Sequence, residues 1–220
     1  MKHLDLQRFA WLFVVLSVVV FLLDAWWTGV QRTDTVGLLK LIPDVVAADA
    51  AFALAFGQWM WRWPIFKFWV PFPDLDGTWT GALQTTWTDP KTGKRPGPIP
   101  VMLVVRQTFF DIHCDMRTAE MASDSYSSDF VLNGKRTRRI VYSYQSEPKA
   151  TVIHRSEPHD GTTKLDIIDG PPRELRGKYW SSRQTTGEVS LRFHSRKHLE
   201  SLPKNFAQHP VSESEKEAAS

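Results

Sequence analysis

Cysteine is almost absent: the 220 residues hold one, Cys114. A lone thiol rules out an intramolecular disulfide and suits a reducing compartment. Inside an alternating run it reads as a small apolar residue, not a reactive nucleophile. Catalytic signatures are missing too. There is no Gly-rich phosphate loop ending in Lys-Ser/Thr, no Gly-x-Ser-x-Gly elbow and no Cys-x-x-Cys. His194 and His198, four apart, can share a helical face as metal ligands, but they lie in a basic stretch without a carboxylate at ligand spacing. His154 and His159 flank a turn with no converging acid. The chain therefore reads as a non-enzyme without metal or organic cofactor.

A charge excess is also lacking where a nucleic-acid surface would need one. After residue 73 lie 21 of the 27 Lys and Arg and 19 of the 24 Asp and Glu, so that part is nearly neutral. DNA and RNA are not expected partners. A small anion held by a few arginines is compatible with this balance.

What the sequence does have is a greasy beginning. Phe9 to Trp27 is nineteen residues with one charge, Asp24. At about 1.5 Å per residue it spans roughly 28 Å, close to a bilayer's hydrocarbon thickness. Lys2 and Arg8 flank one end, and Trp26 and Trp27 suit the interface at the other. The run is too long for a cleaved signal peptide, and no small-x-small site follows it. A second span is expected over Val45 to Trp63, entered at Pro43 and Asp44. It exits through Trp59, Trp61, Trp63 and Trp69, with Arg62 and Lys67 among them. Lys2, Arg8, Arg62 and Lys67 outnumber Arg32 and Lys40 in the short loop, which places the following domain in the cytoplasm. Ala47, Ala51 and Ala55, and likewise Ala53 and Gly57, offer small faces for close helix packing. Asp24, Asp44 and Asp49 either face protein or water within the membrane or sit hydrated at its outer surface.

Beyond Pro64, Pro71 and Pro73 the pattern changes to period-two alternation between turn residues. Strands are expected at 77–88, 100–106, 108–116, 124–132, 137–145, 150–155, 162–168, 174–183 and 187–194. Turns fall at Asp89-Pro90, Asn133-Gly134, Asp160-Gly161 and Asp169-Gly170. The expected class is all-β: a small antiparallel β-barrel of about eight strands, or a sandwich, preceded by two transmembrane helices. Gly77-Thr78-Trp79 favours the barrel, with Trp79 plugging one end. The chain divides into a membrane anchor (1–73), a barrel (74–200) and a polar, disordered tail (201–220).

Two segments carry a family resemblance. Tyr142-Ser143-Tyr144 with Pro148 is followed by His159-Asp160-Gly161-Thr162. Then comes a run from Leu175 to Leu191 containing Gly177, Tyr179-Trp180-Ser181, Arg183, Thr185 and Gly187. Behind an N-terminal pair of spans, this resembles the two-transmembrane, β-strand-rich effectors of CBASS anti-phage defence. The resemblance implies an eight-stranded barrel that binds a cyclic dinucleotide from a partner nucleotidyltransferase. It also implies oligomerisation on binding, and helices that then disrupt the inner membrane and kill the cell.

Such a ligand has two phosphates and two base faces, and calls for arginine forks and aromatic platforms. The hairpin 177–191 supplies Tyr179 and Arg183, with Thr185 and Thr186 as hydroxyl donors. Period two sets Tyr179, Ser181, Arg183 and Thr185 on one face and Trp180 on the other. Arg106, Arg138, Arg139, Tyr142 and Tyr144 are further candidates. Two rival readings stay open: a tethered lipocalin-like barrel for a small apolar or polar ligand, and an enzyme using His154 or His159.

Overall fold

The computed structural model describes residues 6–31, 33–67, 69–133, 137–206 and 208–212. Lys2, Arg32, Gly134 and the tail residues from Glu213 onward lie outside them. The chain forms two compact units, residues 1–73 with 108–110, and residues 74–107 with 111–220.

The first unit is helical. α1 (Leu6–Thr28) is apolar around its circumference over most of its length, and α2 (Thr35–Leu39) is capped by Asp34, whose carboxylate accepts from the Gly37 amide at 2.9 Å. α3 (Ile42–Gln58) starts earlier than expected because Pro43 is pre-set for a first helical turn. It also ends earlier, at Gln58 instead of Trp63. Arg62 caps the Gln58 carbonyl at 2.8 Å, and two short 3-10 turns, Met60–Arg62 and Pro64–Phe66, follow. Among the described residues one helix, over Ala10–Thr28, is long and apolar enough to cross a membrane. α1 and α3 meet through Ser17, whose hydroxyl donates to Asp49 at 2.6 Å, and through Phe13 edge-on to Phe52. Phe56, Trp61 and Phe109 form this unit's buried cluster.

The second unit is a closed antiparallel barrel in simple chain order. Its strands are β1 (Gly77–Thr85), β2 (Ile99–Gln107), β3 (Ile112–Arg117), β4 (Met121–Asn133), β5 (Thr137–Pro148), β6 (His159–Ile168), β7 (Glu174–Ser181) and β8 (Thr186–Ser195). β8 pairs back onto β1 and closes the cylinder. Residues 150–155 are not a strand. Val152 accepts from the Arg155 and Ser156 amides, forming a 3-10 turn, and Lys149 is held by the Glu120 carbonyl. The β-branched run there is a local turn with only Val152 buried.

Alternation fills one end of the barrel. Leu75, Trp79, Leu103, Val105, Ile140, Leu165, Leu175 and Leu191 are fully buried there. Trp79 donates its indole N–H to the Leu75 carbonyl at 2.9 Å and meets Phe193 edge-on. Cys114 is buried in β3, and burial pushes its thiol pKa well up, so it stays protonated.

Candidate functional site

At the opposite end, where β1, β3, β5 and β7 finish and β2, β4, β6 and β8 begin, the interior is hollow. The cavity holds about 110 Å³. Its wall mixes aliphatic side chains such as Leu83 and Val189 with three tyrosines, two arginines and several hydroxyls.

Tyr142 and Tyr144 come from β5, two residues apart and therefore on the same inner face, with ring centroids 6.1 Å apart. Tyr179 comes from β7, and its hydroxyl donates to the Thr85 hydroxyl at 2.7 Å. Two glycines make room for these rings. A Cβ on Gly161 would lie 2.4 Å from the Tyr144 hydroxyl, and one on Gly187 would lie 2.4 Å from the Tyr179 ring. Burial raises the pKa of all three phenols, so at neutral pH they are uncharged donors.

Arg183 reaches the cavity from the tight β7–β8 turn. Gln184 takes a positive φ of 60°, and the Ser181 and Thr185 hydroxyls bridge the turn at 2.6 Å. One guanidinium nitrogen of Arg183 donates to the Ser156 hydroxyl at 3.0 Å, while its Nε is buried with no hydrogen-bond partner among the described residues. Arg155, from the 3-10 excursion, has a side chain 4% exposed and pairs with Glu120 at 2.6 Å. Its Nε is likewise buried and without a partner. Two arginines lining one cavity thus each bury an Nε–H without an acceptor among the described residues, an arrangement that is costly unless something accepts from the guanidinium groups.

Of the residues singled out from the sequence, Tyr142, Tyr144, Tyr179, Arg183 and Thr185 come together here. The others do not, and side-chain alternation explains most of them. β2 points its odd-numbered residues inward, so Arg106 points outward to Asp115. β5 points even-numbered residues inward, so Arg139 lies outside on Asp166, and Arg138, near the strand's start, pairs with Asp169. Thr186 faces out beside Trp180, sharing a hydroxyl contact with Thr86. Arg183 gets inside by turn geometry, since β7 stops at Ser181. His194 and His198 share no helix: His194 is in β8 and His198 lies 3.2 Å from Asp76. Sequence reasoning missed Glu120, Arg155, Ser156, Thr163 and His209, and read His159 as a turn residue, although it too lines the cavity. Pro148 and Pro158, bracketing Arg155 and Ser156, were the available sign that 150–155 leaves the sheet.

On the outer surface His113, Asp115 and Asp124 bring ligand atoms within 4.8 Å of one another. The Arg106 guanidinium already sits on Asp115, with His113 2.7 Å from its other oxygen. Burial, then its contact with Asp115, raises the Asp124 pKa. Ion pairing accounts for this cluster.

Fold and cavity together define a class: a closed antiparallel β-barrel with an aromatic, arginine-bearing pocket at one end, in a chain with an apolar N-terminal helix. Residues 70–192 match the family model of the Cap15 cyclic dinucleotide receptor domain. That is more than half of the chain, which therefore belongs to this family. The chain is 26% identical over 158 residues to the CD-NTase-associated protein 15 of Staphylococcus schleiferi, covering 71% of this chain and 81% of that one. It is 20% identical over 175 residues to the protein of the same name from Escherichia albertii, covering 77% and 82%.

Proposed function

We propose that the barrel cavity binds a cyclic dinucleotide made by a partner nucleotidyltransferase, and that the chain is a membrane-tethered effector of CBASS anti-phage defence. The observation that carries this reading is the cavity's composition: two arginines, Arg155 and Arg183, each with a buried Nε that has no hydrogen-bond partner among the described residues, line a space walled by Tyr142, Tyr144 and Tyr179. Phosphates accept from guanidinium N–H groups, and bases stack on aromatic faces. An apolar lipocalin-type ligand would leave both N–H groups unsatisfied. The family and the relatives' names support the same ligand class.

The helical unit is the output. α1 crosses the inner membrane, and α3, roughly 26 Å long at about 1.5 Å per residue, crosses back with the Ser17–Asp49 hydrogen bond holding the pair. Both termini and the barrel then lie in the cytoplasm. Nucleotide binding favours an associated state, because a ligand shifts an equilibrium only by preferring one side. The gathered helix pairs breach the bilayer. Dye leakage from liposomes carrying the full-length protein, measured with a panel of cyclic dinucleotides, tests the scheme. Leakage that depends on one nucleotide supports it, and equal leakage with and without every nucleotide rejects ligand gating.

A further inference from the structure

The cavity is smaller than its proposed ligand. Pockets for small molecules hold roughly 300–1,000 Å³, against about 110 Å³ here. One wall is supplied by residues that are not part of the barrel. His209 lines the cavity and is 7% exposed, and Val211 beside it is 5% exposed. Composition assigns both to the polar tail, yet they are packed as firmly as strand residues. Among the described residues one carboxylate contacts this segment at both His209 and Ser212. Glu120, in the β3–β4 turn, accepts from Arg155 at 2.6 Å, lies 3.1 Å from the His209 ring and accepts from the Ser212 hydroxyl. Arg155 also donates to Ser212 at 3.2 Å.

We propose that residues 208–212 are a strap, latched on Glu120, that occupies the ligand cavity in the resting protein and must leave for a cyclic dinucleotide to enter. The inference rests on the reading of the cavity as the nucleotide site. The release mechanism follows from charge. Arg155 is the cation that pairs with Glu120 at 2.6 Å, and it also lines the cavity that the phosphates would enter. A phosphate that takes Arg155 leaves Glu120 a buried carboxylate beside a second anion, which is unfavourable. Glu120 is driven toward solvent, and the strap loses its anchor. The strap lowers apparent affinity by the fraction of molecules in which it is open.

The test compares the full-length protein in detergent with two truncations, one lacking 208–220 and one lacking 213–220, titrated with the cyclic dinucleotides that bind the intact chain. Removing 208–220 is expected to tighten binding by about tenfold, within the usual range of coupling between sites, while removing 213–220 leaves the Kd unchanged. Glu120→Gln gives a ligand-free readout: faster amide hydrogen exchange at 208–212 with the barrel amides still protected. Saturating nucleotide should expose the same amides in the intact protein. Unchanged or weaker binding on removing 208–220 overturns the strap, as does nucleotide that leaves 208–212 protected. Failure of the intact protein and all variants to bind any cyclic dinucleotide overturns the ligand reading and the strap with it.

Discussion

Tyr144 and Gly161 stand directly opposite each other on β5 and β6, and the tyrosine hydroxyl fills the space that any side chain at 161 would take. The pocket's aromatic wall therefore depends on a residue that contributes no contact of its own. Gly161→Ala is expected to push the Tyr144 ring into the cavity, weaken nucleotide binding at least tenfold, and cost about 1–3 kcal/mol of stability through overpacking. Calorimetric titration alongside thermal unfolding checks both. Wild-type affinity in this variant would show that the ring position is immaterial.

Arg183→Ala removes a charged donor whose hydrogen bond within the fold goes to the Ser156 hydroxyl. A hydrogen bond to a charged group contributes about 1.5–3 kcal/mol, so affinity should fall roughly 10- to 150-fold while the barrel stays folded. Arg183→Lys should recover only part of it, since the ammonium cannot form a two-pronged contact. Undiminished affinity in Arg183→Ala would remove this residue from the site.

At the filled end, Trp79→Ala deletes a fully buried ring and its hydrogen bond to Leu75. The expected loss is about 3–5 kcal/mol, read as a lower denaturant midpoint of the barrel. A midpoint equal to wild type would mean Trp79 is not a core plug.

Burial, the largest influence on each, holds the imidazoles of His159 and His209 below the ordinary histidine range. The Glu157 carbonyl and Glu120, respectively, oppose it, and Arg183 and Arg155 reinforce it. The unfolded chain then takes up these protons first as pH falls. Their contribution is complete above the ordinary histidine pKa of about 6.5 and is lost as pH drops from there toward the folded values. Melting should occur at a lower temperature near pH 5 than near pH 7.5. The gap should shrink in a variant carrying His159→Gln and His209→Gln, and an unaltered gap would assign the pH response to other groups.

The second crossing can be tested by labelling. In a Cys114→Ser background, Val36→Cys places a thiol on α2, where residue 36 is exposed. An impermeant maleimide added to intact, outer-membrane-permeabilised cells should modify it, while a thiol at Ser195 should react only after lysis. Protection of the residue 36 thiol would rule out the two-span topology.

The barrel was legible because its signal is local: inward and outward residues alternate along each strand, and Asp, Gly and Pro mark the joints. Trp79, Tyr179 and Trp180 sit on the faces that alternation assigns them. The same rule carries information that reading each candidate singly overlooks. The inward parity of β2 excludes Arg106, and that of β5 excludes Arg139. Arg155 and Glu120 were hidden for another reason. Both lie outside the strands, and it is the register of the β4–β5 hairpin, with Met121 opposite Pro148, that brings the turn between β3 and β4 next to the loop between β5 and β6. The helix boundary at Gln58 was likewise set by a side-chain cap from Arg62 that hydropathy does not register.

Because β8 returns to β1, every strand has a neighbour on both sides and the sheet has no edge strand, although β4 runs on past the short stretch, Ala122 to Asp124, that pairs with β3. In the proposed associated state, closure therefore removes the edge strands that would template cross-β fibre growth. Side-chain contact, which is reversible and can be altered one residue at a time, is then the expected means of holding the proposed assembly together.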